Sequence, residues 1–260
     1  MSAPLDGGEL AVFDRRAEVE ALLREDTTLL GRYWGYLQED LPKEQMAERE
    51  AIETTGWTSN YAFLLSVVRD GEVTTKPSVA RGAAGRLRAW LRSKPLSEQL
   101  REEFTKQERV LAAVAEDRVA QASEDEEAHR STVEAESANV PGIYVYTLPH
   151  YLRHPYEPDT GRTLLKVGHS AVDAVHRAGA QSRFTALPED PVLLRVYPCA
   201  QSLVVERRFH AWLEDADHQR PRSTRAGREW FVTSTKFLDR VARVMDLEVQ
   251  VVNELDGFLE

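Results

Sequence analysis

The sequence predicts an α+β protein: an N-terminal all-α helical domain, then a small α/β module whose three-stranded antiparallel sheet is flanked by helices. Three observations predict it. Apolar residues over roughly the first 120 positions recur at helical spacing. Residues 122–138 (ASEDEEAHRSTVEAESA) lack large apolar side chains and hold six acids. Beyond Pro141, short runs rich in β-branched and aromatic residues replace the helical pattern.

The elements follow in order. Leu22, Leu23, Leu29 and Leu30 lead into Tyr33, Trp34 and Leu37, a spacing that suits buried helix faces. A second helical stretch carries Tyr61, Phe63, Leu64, Leu65, Val67 and Val68 and stops near Asp70-Gly71. Ser78 is placed to cap a third, with Leu87, Trp90 and Leu91 at i, i+3 and i+4. Pro95 and Ser97 open a long helix through Leu100, Phe104, Leu111 and Val114. Four to six helices around one core are expected in this domain, residues 1–121. Residues 122–140 read as an acidic linker or solvated helix extension, because they cannot bury enough surface to fold alone. Strands are expected at Gly142–Thr147, Thr163–Val167 and Val192–Tyr197, with a short extended piece at Glu229–Val232. Helices are expected near 172–185, 201–214 and 235–246. The module spans 141–250, and 251–260 form an acidic tail.

Composition narrows the function. Hydrophobic residues make up 42% of 260, enough for a packed core. The single cysteine, Cys199, excludes an intrachain disulfide and any zinc site needing several thiolates. No apolar run approaches a membrane span, and the opening residues do not read as a signal peptide, so a cytoplasmic protein with no membrane partner is expected. The formal charge is −10, but it is uneven. Residues 1–140 hold 18 basic and 27 acidic residues, whereas residues 141–240 hold 14 basic and 11 acidic. Within the basic part, Arg220, Arg222, Arg225 and Arg228 occur in nine residues without an acid among them, either a phosphate-binding run or a solvated loop. The stretch 76–94 is also basic (Lys76, Arg81, Arg86, Arg88, Arg92, Lys94), but it sits in an acidic domain and carries no turn signature of a helix-turn-helix reader.

One ordered set of residues carries chemistry. Gly142-Ile143-Tyr144 is followed by Lys166-Val167-Gly168, then Arg177, then Glu206 opening the run ERRFHAWL, then Gly227-Arg228-Glu229-Trp230-Phe231. This order resembles the GIY-YIG nuclease superfamily, and more closely its divergent phage and bacterial branch, where the second motif reads Lys-Ile/Val-Gly. The resemblance covers roughly residues 141–235. Three departures stand out. Lys166 replaces the second tyrosine, a long insertion (149–162) separates the first two motifs, and Glu229 and Trp230 occupy the region of the family's late asparagine.

The resemblance implies a catalytic set of Tyr144, Tyr146, Lys166, Arg177, Glu206 and His210, with His169, Arg220, Arg222, Arg225 and Arg228 on nucleic acid. The chemistry of these residue types fits. Phosphodiester hydrolysis needs an activated water, neutralisation of the growing phosphorane charge and help for the leaving oxygen. Tyr144 and Tyr146 stand two apart on a strand and face the same way. Lys166 is either the cation that lowers a phenol's pKa or, if desolvated, the base itself. Arg177 would grip the scissile phosphate in bidentate fashion. Glu206 would hold one Mg²⁺ or Mn²⁺ whose remaining ligands are water and phosphate oxygens. His210, one helical turn on, would orient or protonate a phosphate oxygen. The expected activity is therefore a divalent-metal-dependent DNA endonuclease, with phage defence among its settings. The helical domain would serve targeting, regulation, self-association or docking of a protein partner. The alternatives are a binding module without catalysis and an adaptor acting through the helical domain.

Overall fold

The computed structural model of the chain describes residues 13–157, 162–170, 189–221 and 228–254. The N-terminal part is built from α1 (Arg15–Arg24), α2 (Leu29–Gln38), α3 (Lys43–Glu50), α4 (Trp57–Asp70), α5 (Pro77–Ser93) and α6 (Glu98–Ala115). Their starts and stops follow local chemistry. Asp14 accepts the Ala17 N–H at 3.1 Å, and Ser97 accepts that of Leu100 at 3.1 Å. Helix α4 stops at Gly71, whose φ of +78° is the left-handed conformation that glycine adopts without steric cost. Pro77 opens α5, because the first helical position needs no N–H. Ser78, the expected cap, lies just inside that first turn; its hydroxyl donates to Glu124 at 2.7 Å. Leu23, Leu30, Tyr61, Leu64, Leu87, Trp90, Leu100 and Phe104 pack into one core. Several bases of α5 are used internally: Arg88 pairs with Glu108, Arg81 donates to the Ala115 carbonyl, and Arg86 is buried.

The acidic segment is a helix rather than a loose linker. Helix α7 (Arg118–Ser137) starts at Asp117, whose carboxylate accepts the N–H groups of Val119 and Ala120. It touches both α5 and the sheet, so its polar composition reflects a shallow seat and not the absence of structure.

Among the described residues the sheet has five antiparallel strands, in the order β4-β2-β1-β3-β5: β1 (Gly142–Thr147), β2 (Thr163–Ser170), β3 (Val192–Pro198), β4 (Trp230–Thr233) and β5 (Gln250–Val251). This corrects the three-stranded expectation. The piece expected at 229–232 joins the ladder as β4, because pairing with β2 buries Trp230, Phe231 and Val232. Strand β5 is two residues long, too short to show a period-2 pattern. One face of the sheet (Ile143, Val145, Leu165, Val167, Leu194) packs on Phe209 and Leu213 of α9 (Ser202–Asp215) and Leu238 and Val241 of α10 (Thr235–Val244). The opposite face presents Tyr144, Tyr146, Leu193 and Val196 to α7 through Ala135. The insertion after β1 holds the short α8 (Pro149–Arg153), which lies near β2. The helix expected near 172–185 lies outside the described residues.

Candidate active site

The site is assembled by strand register. Directly opposed residues of an antiparallel pair point to the same face. Tyr146 on β1 opposes Lys166 on β2, which in turn opposes Trp230 on β4; Tyr144 opposes Gly168. Tyr144, Tyr146, Lys166 and the space above Gly168 therefore share one face. Gly142 is required for space: a Cβ there would lie 2.4 Å from the Tyr197 carbonyl oxygen.

Strand β4 pairs with β2 only as far as Lys166, so the last residues of β2 are reached from the side by α9 and by the chain leading into β4. Val167 N–H donates to the Glu229 carbonyl at 2.8 Å, which fixes Glu229 beside the strand. The Glu229 carboxylate then lies 3.1 Å from Lys166 Nζ. From the other direction, His210 Nε2 donates to the Val167 carbonyl at 2.9 Å and holds α9 against β2. One turn earlier on α9, Glu206 is buried, with its Oε2 3.7 Å from His169 Nε2. That separation is beyond hydrogen-bond reach. His169 Nδ1 lies 3.3 Å from Ser202 Oγ, and Ser202 stands one turn before Glu206.

Gly168 sits where these groups meet. A Cβ added to it would lie 3.8 Å from Glu229 Oε2 and 3.9 Å from Glu206 Oε1. Two carboxylates thus face one point from two elements, with an ammonium and an imidazole at the rim. Among the described residues no group of three or more His, Cys, Asp or Glu is clustered as in a closed metal cage. The donor set instead fits a cation that keeps most of its water and takes one or two carboxylates.

The expected residues divide accordingly. Lys166, Glu206 and His169 are brought together. Tyr144 lies on the same face but is 3% exposed, and its hydroxyl donates to the Val140 carbonyl. Tyr146 stacks on it, ring centroids 6.3 Å apart, and donates to Glu136 Oε1 at 2.8 Å. His210 has its Nε2 engaged by backbone, so its evident work is positioning α9. Arg220 pairs with Glu214 and lies over the Phe231 ring, its Cζ 4.8 Å from the centroid. Arg228 is exposed. Arg177, Arg222 and Arg225 lie outside the described residues. Within the insertion, Arg153 pairs with Asp125 of α7.

Glu229 and Ser202 were not assigned a role from sequence. The signal for Glu229 was present: once β4 is paired with β2, the residue just before Trp230 must fall beside Lys166 and Gly168.

Residues 142–246 match the family model of the T5orf172 domain, a phage-associated nuclease-like domain family. The match begins at the first residue of β1 and runs past α10, so it takes in the whole site. No curated protein and no solved structure matches the chain. No helix among the described residues is long and apolar enough to cross a membrane.

Proposed function

We propose that residues 142–246 form a divalent-metal-dependent endonuclease domain that hydrolyses phosphodiester bonds in DNA, in the manner of the GIY-YIG enzymes that its motifs resemble. The observation that carries this reading is the convergence of Lys166, His169, Glu206 and Glu229 around Gly168, inside the region that matches a nuclease-like domain family.

Glu206 would hold Mg²⁺ or Mn²⁺ through its Oε1, with Glu229 the second carboxylate within reach of the same space. The ion would supply charge neutralisation on the phosphate and a water of lowered pKa. The chain's own groups do the remainder. Lys166, held by Glu229, presents a cation on the tyrosine face, where a phosphate oxygen would lie. A phenol on that face, Tyr144 or Tyr146, positions the attacking water through its hydroxyl. Arg177 grips the phosphate. His169 is oriented by Ser202 and lies beside Glu206, where it can donate to a phosphate oxygen. Gly168 keeps the floor of the hollow open.

The experiment is cleavage of supercoiled plasmid and of branched DNA with Mg²⁺ or Mn²⁺, comparing the parent chain with Glu206→Ala and Lys166→Ala. Nicked or linear product from the parent, reduced at least 100-fold in both variants, is expected. Equal cleavage by the parent chain and Glu206→Ala overturns the assignment. A second reading, DNA binding without cleavage, is favoured by the buried hydroxyl of Tyr144. It is selected by salt-dependent DNA retardation with no product in either metal.

A further inference from the structure

Helix α7 covers the face that carries Tyr144 and Tyr146, and the way it is held is unusual for a core helix. Thr132 is the one buried residue among its twenty. Its other contacts with the sheet are small or polar: Ala128, Ala135 and the Glu136 carboxylate. Its N-terminal half meets α5, where Glu124 bonds Ser78. It walls a cleft of about 700 Å³ lined also by Lys76, Arg81, Arg153 and Asn253. Little apolar area therefore opposes its removal.

Polar latches hold it instead. Thr132 Oγ1 accepts the Leu193 N–H of β3 at 3.0 Å. Asn253, just past β5, donates to the Ala128 and Leu193 carbonyls and to Thr132 Oγ1 at 3.3, 2.8 and 3.3 Å. Three acids of α7 occupy groups of the kind that bind phosphate elsewhere. Glu124 accepts the N–H and hydroxyl of Ser78 at the start of α5, Asp125 pairs with Arg153, and Glu136 accepts the Tyr146 hydroxyl. Of these partners only the Tyr146 hydroxyl lies on the sheet face, Ser78 being on α5 and Arg153 on α8, so an acidic, weakly buried helix ends over a nuclease-like face with one carboxylate, Glu136, on a donor of that face.

We propose that α7 is an autoinhibitory strap: a polyanionic cover that competes with nucleic acid for the Tyr144–Tyr146 face and lifts when DNA binds. This rests on the nuclease reading of the same site. It gives the buried Tyr144 hydroxyl a reason, since a nuclease resident among nucleic acids needs restraint. The latch is built from Asn253, Thr132 and Glu136, outside the carboxylate pair at Gly168. Opening exposes the two tyrosines without dismantling the sheet, because both lie on β1 at the centre of the ladder.

The test uses the full chain and three variants. Asn253→Ala and Glu136→Ala each remove a latch. Glu134→Ala removes the same charge from an exposed position of the same helix and serves as the control. Amide hydrogen exchange across 118–137, and nitration of Tyr144 and Tyr146 by tetranitromethane, are measured without DNA. Affinity for a fluorescein-labelled 30-base-pair duplex is measured in EDTA at fixed salt. Losing one hydrogen bond shifts an opening equilibrium roughly five-fold. Exchange, nitration and DNA affinity are expected to rise by about that factor in Glu136→Ala and by at least that factor in Asn253→Ala, which removes two bonds to α7, and DNA affinity by less in Glu134→Ala. Exchange and nitration no faster than in the control overturn the strap. Faster exchange with no gain in DNA affinity over the control also overturns it, because α7 then does not compete with nucleic acid. A gain in all three measurements while the parent chain fails to cleave refutes the nuclease reading and leaves the strap standing. Asn253→Ser replaces Asn253→Ala if the latter fails to fold.

Discussion

Substituting Gly168 separates the space it leaves from the backbone it forms. Nothing lies nearer than 3.8 Å to a Cβ placed there, which is ordinary van der Waals contact. Its backbone is extended, and among the described glycines only Gly71 has a positive φ. Gly168→Ala is therefore compatible with the fold. It restricts the unfolded chain and is expected to stabilise by about 0.4–1 kcal/mol. At about 2–4 °C per kcal/mol for a chain of this size, Tm rises by roughly 1–4 °C. Gly168→Leu adds three further carbons to the space between Glu206 Oε1 and Glu229 Oε2. Stripping water from those carboxylates costs more than the ~1–3 kcal/mol of a neutral polar group, so Tm falls. Cleavage follows the volume: Gly168→Ala stays within about three-fold of the parent chain, and Gly168→Leu drops by about 100-fold, some 2.7 kcal/mol of barrier. Thermal melts beside a plasmid-nicking assay read both effects. Undiminished cleavage by Gly168→Leu, or a lowered Tm for Gly168→Ala, would refute the placement of the hollow above this residue.

Glu229→Ala should barely move stability, by under about 1 kcal/mol, because its pair with Lys166 is partly exposed. Nuclease activity should fall ten-fold or more, and a stability loss without an activity loss would make the pair structural. Phe209 is fully buried between α9 and the sheet, so Phe209→Ala should cost about 3–5 kcal/mol by denaturant unfolding. A loss below 1 kcal/mol would show that α9 is not seated there. His218 is buried 4.1 Å from the Phe237 ring, and burial holds its pKa below the ordinary histidine value, with the Arg162 charge adding to it. A folded pKa below the unfolded one means that the unfolded chain binds the extra proton. The stability contributed by neutral His218 is thus present above about pH 6.5 and lost as pH falls toward its folded value. Melts from pH 7.5 to 5 should fall more steeply for the parent chain than for His218→Phe, and parallel slopes would contradict this.

Much of this molecule could be read from its chain because the signals are local. Caps such as Ser97, the stop at Gly71 and the β-branched runs of β1 and β3 depend on neighbours in sequence, and the structure places elements where they point. Other features depend on partners far along the chain. Strand β5 exists because Val196 and Arg195 offer an edge to Gln250 and Val251. Helix α7 docks on the sheet through Thr132, Ala128, Ala135 and the Glu136 carboxylate, a pattern that no hydrophobic period reveals. Glu229 becomes a site residue only through the β2–β4 register, and Tyr144 loses its solvent access to Ala135 of α7 together with Val140 and Val252. Lys166, His169 and Glu206 were legible because motif order fixed their elements, and those elements meet at Gly168.

The most direct measurement is anomalous scattering from crystals soaked in Mn²⁺. The account expects one strong peak bonded to Glu206 Oε1, in the space above Gly168 that Glu229 also faces, and its loss in Glu206→Gln. A peak elsewhere in the domain, or one that persists in Glu206→Gln, would contradict it.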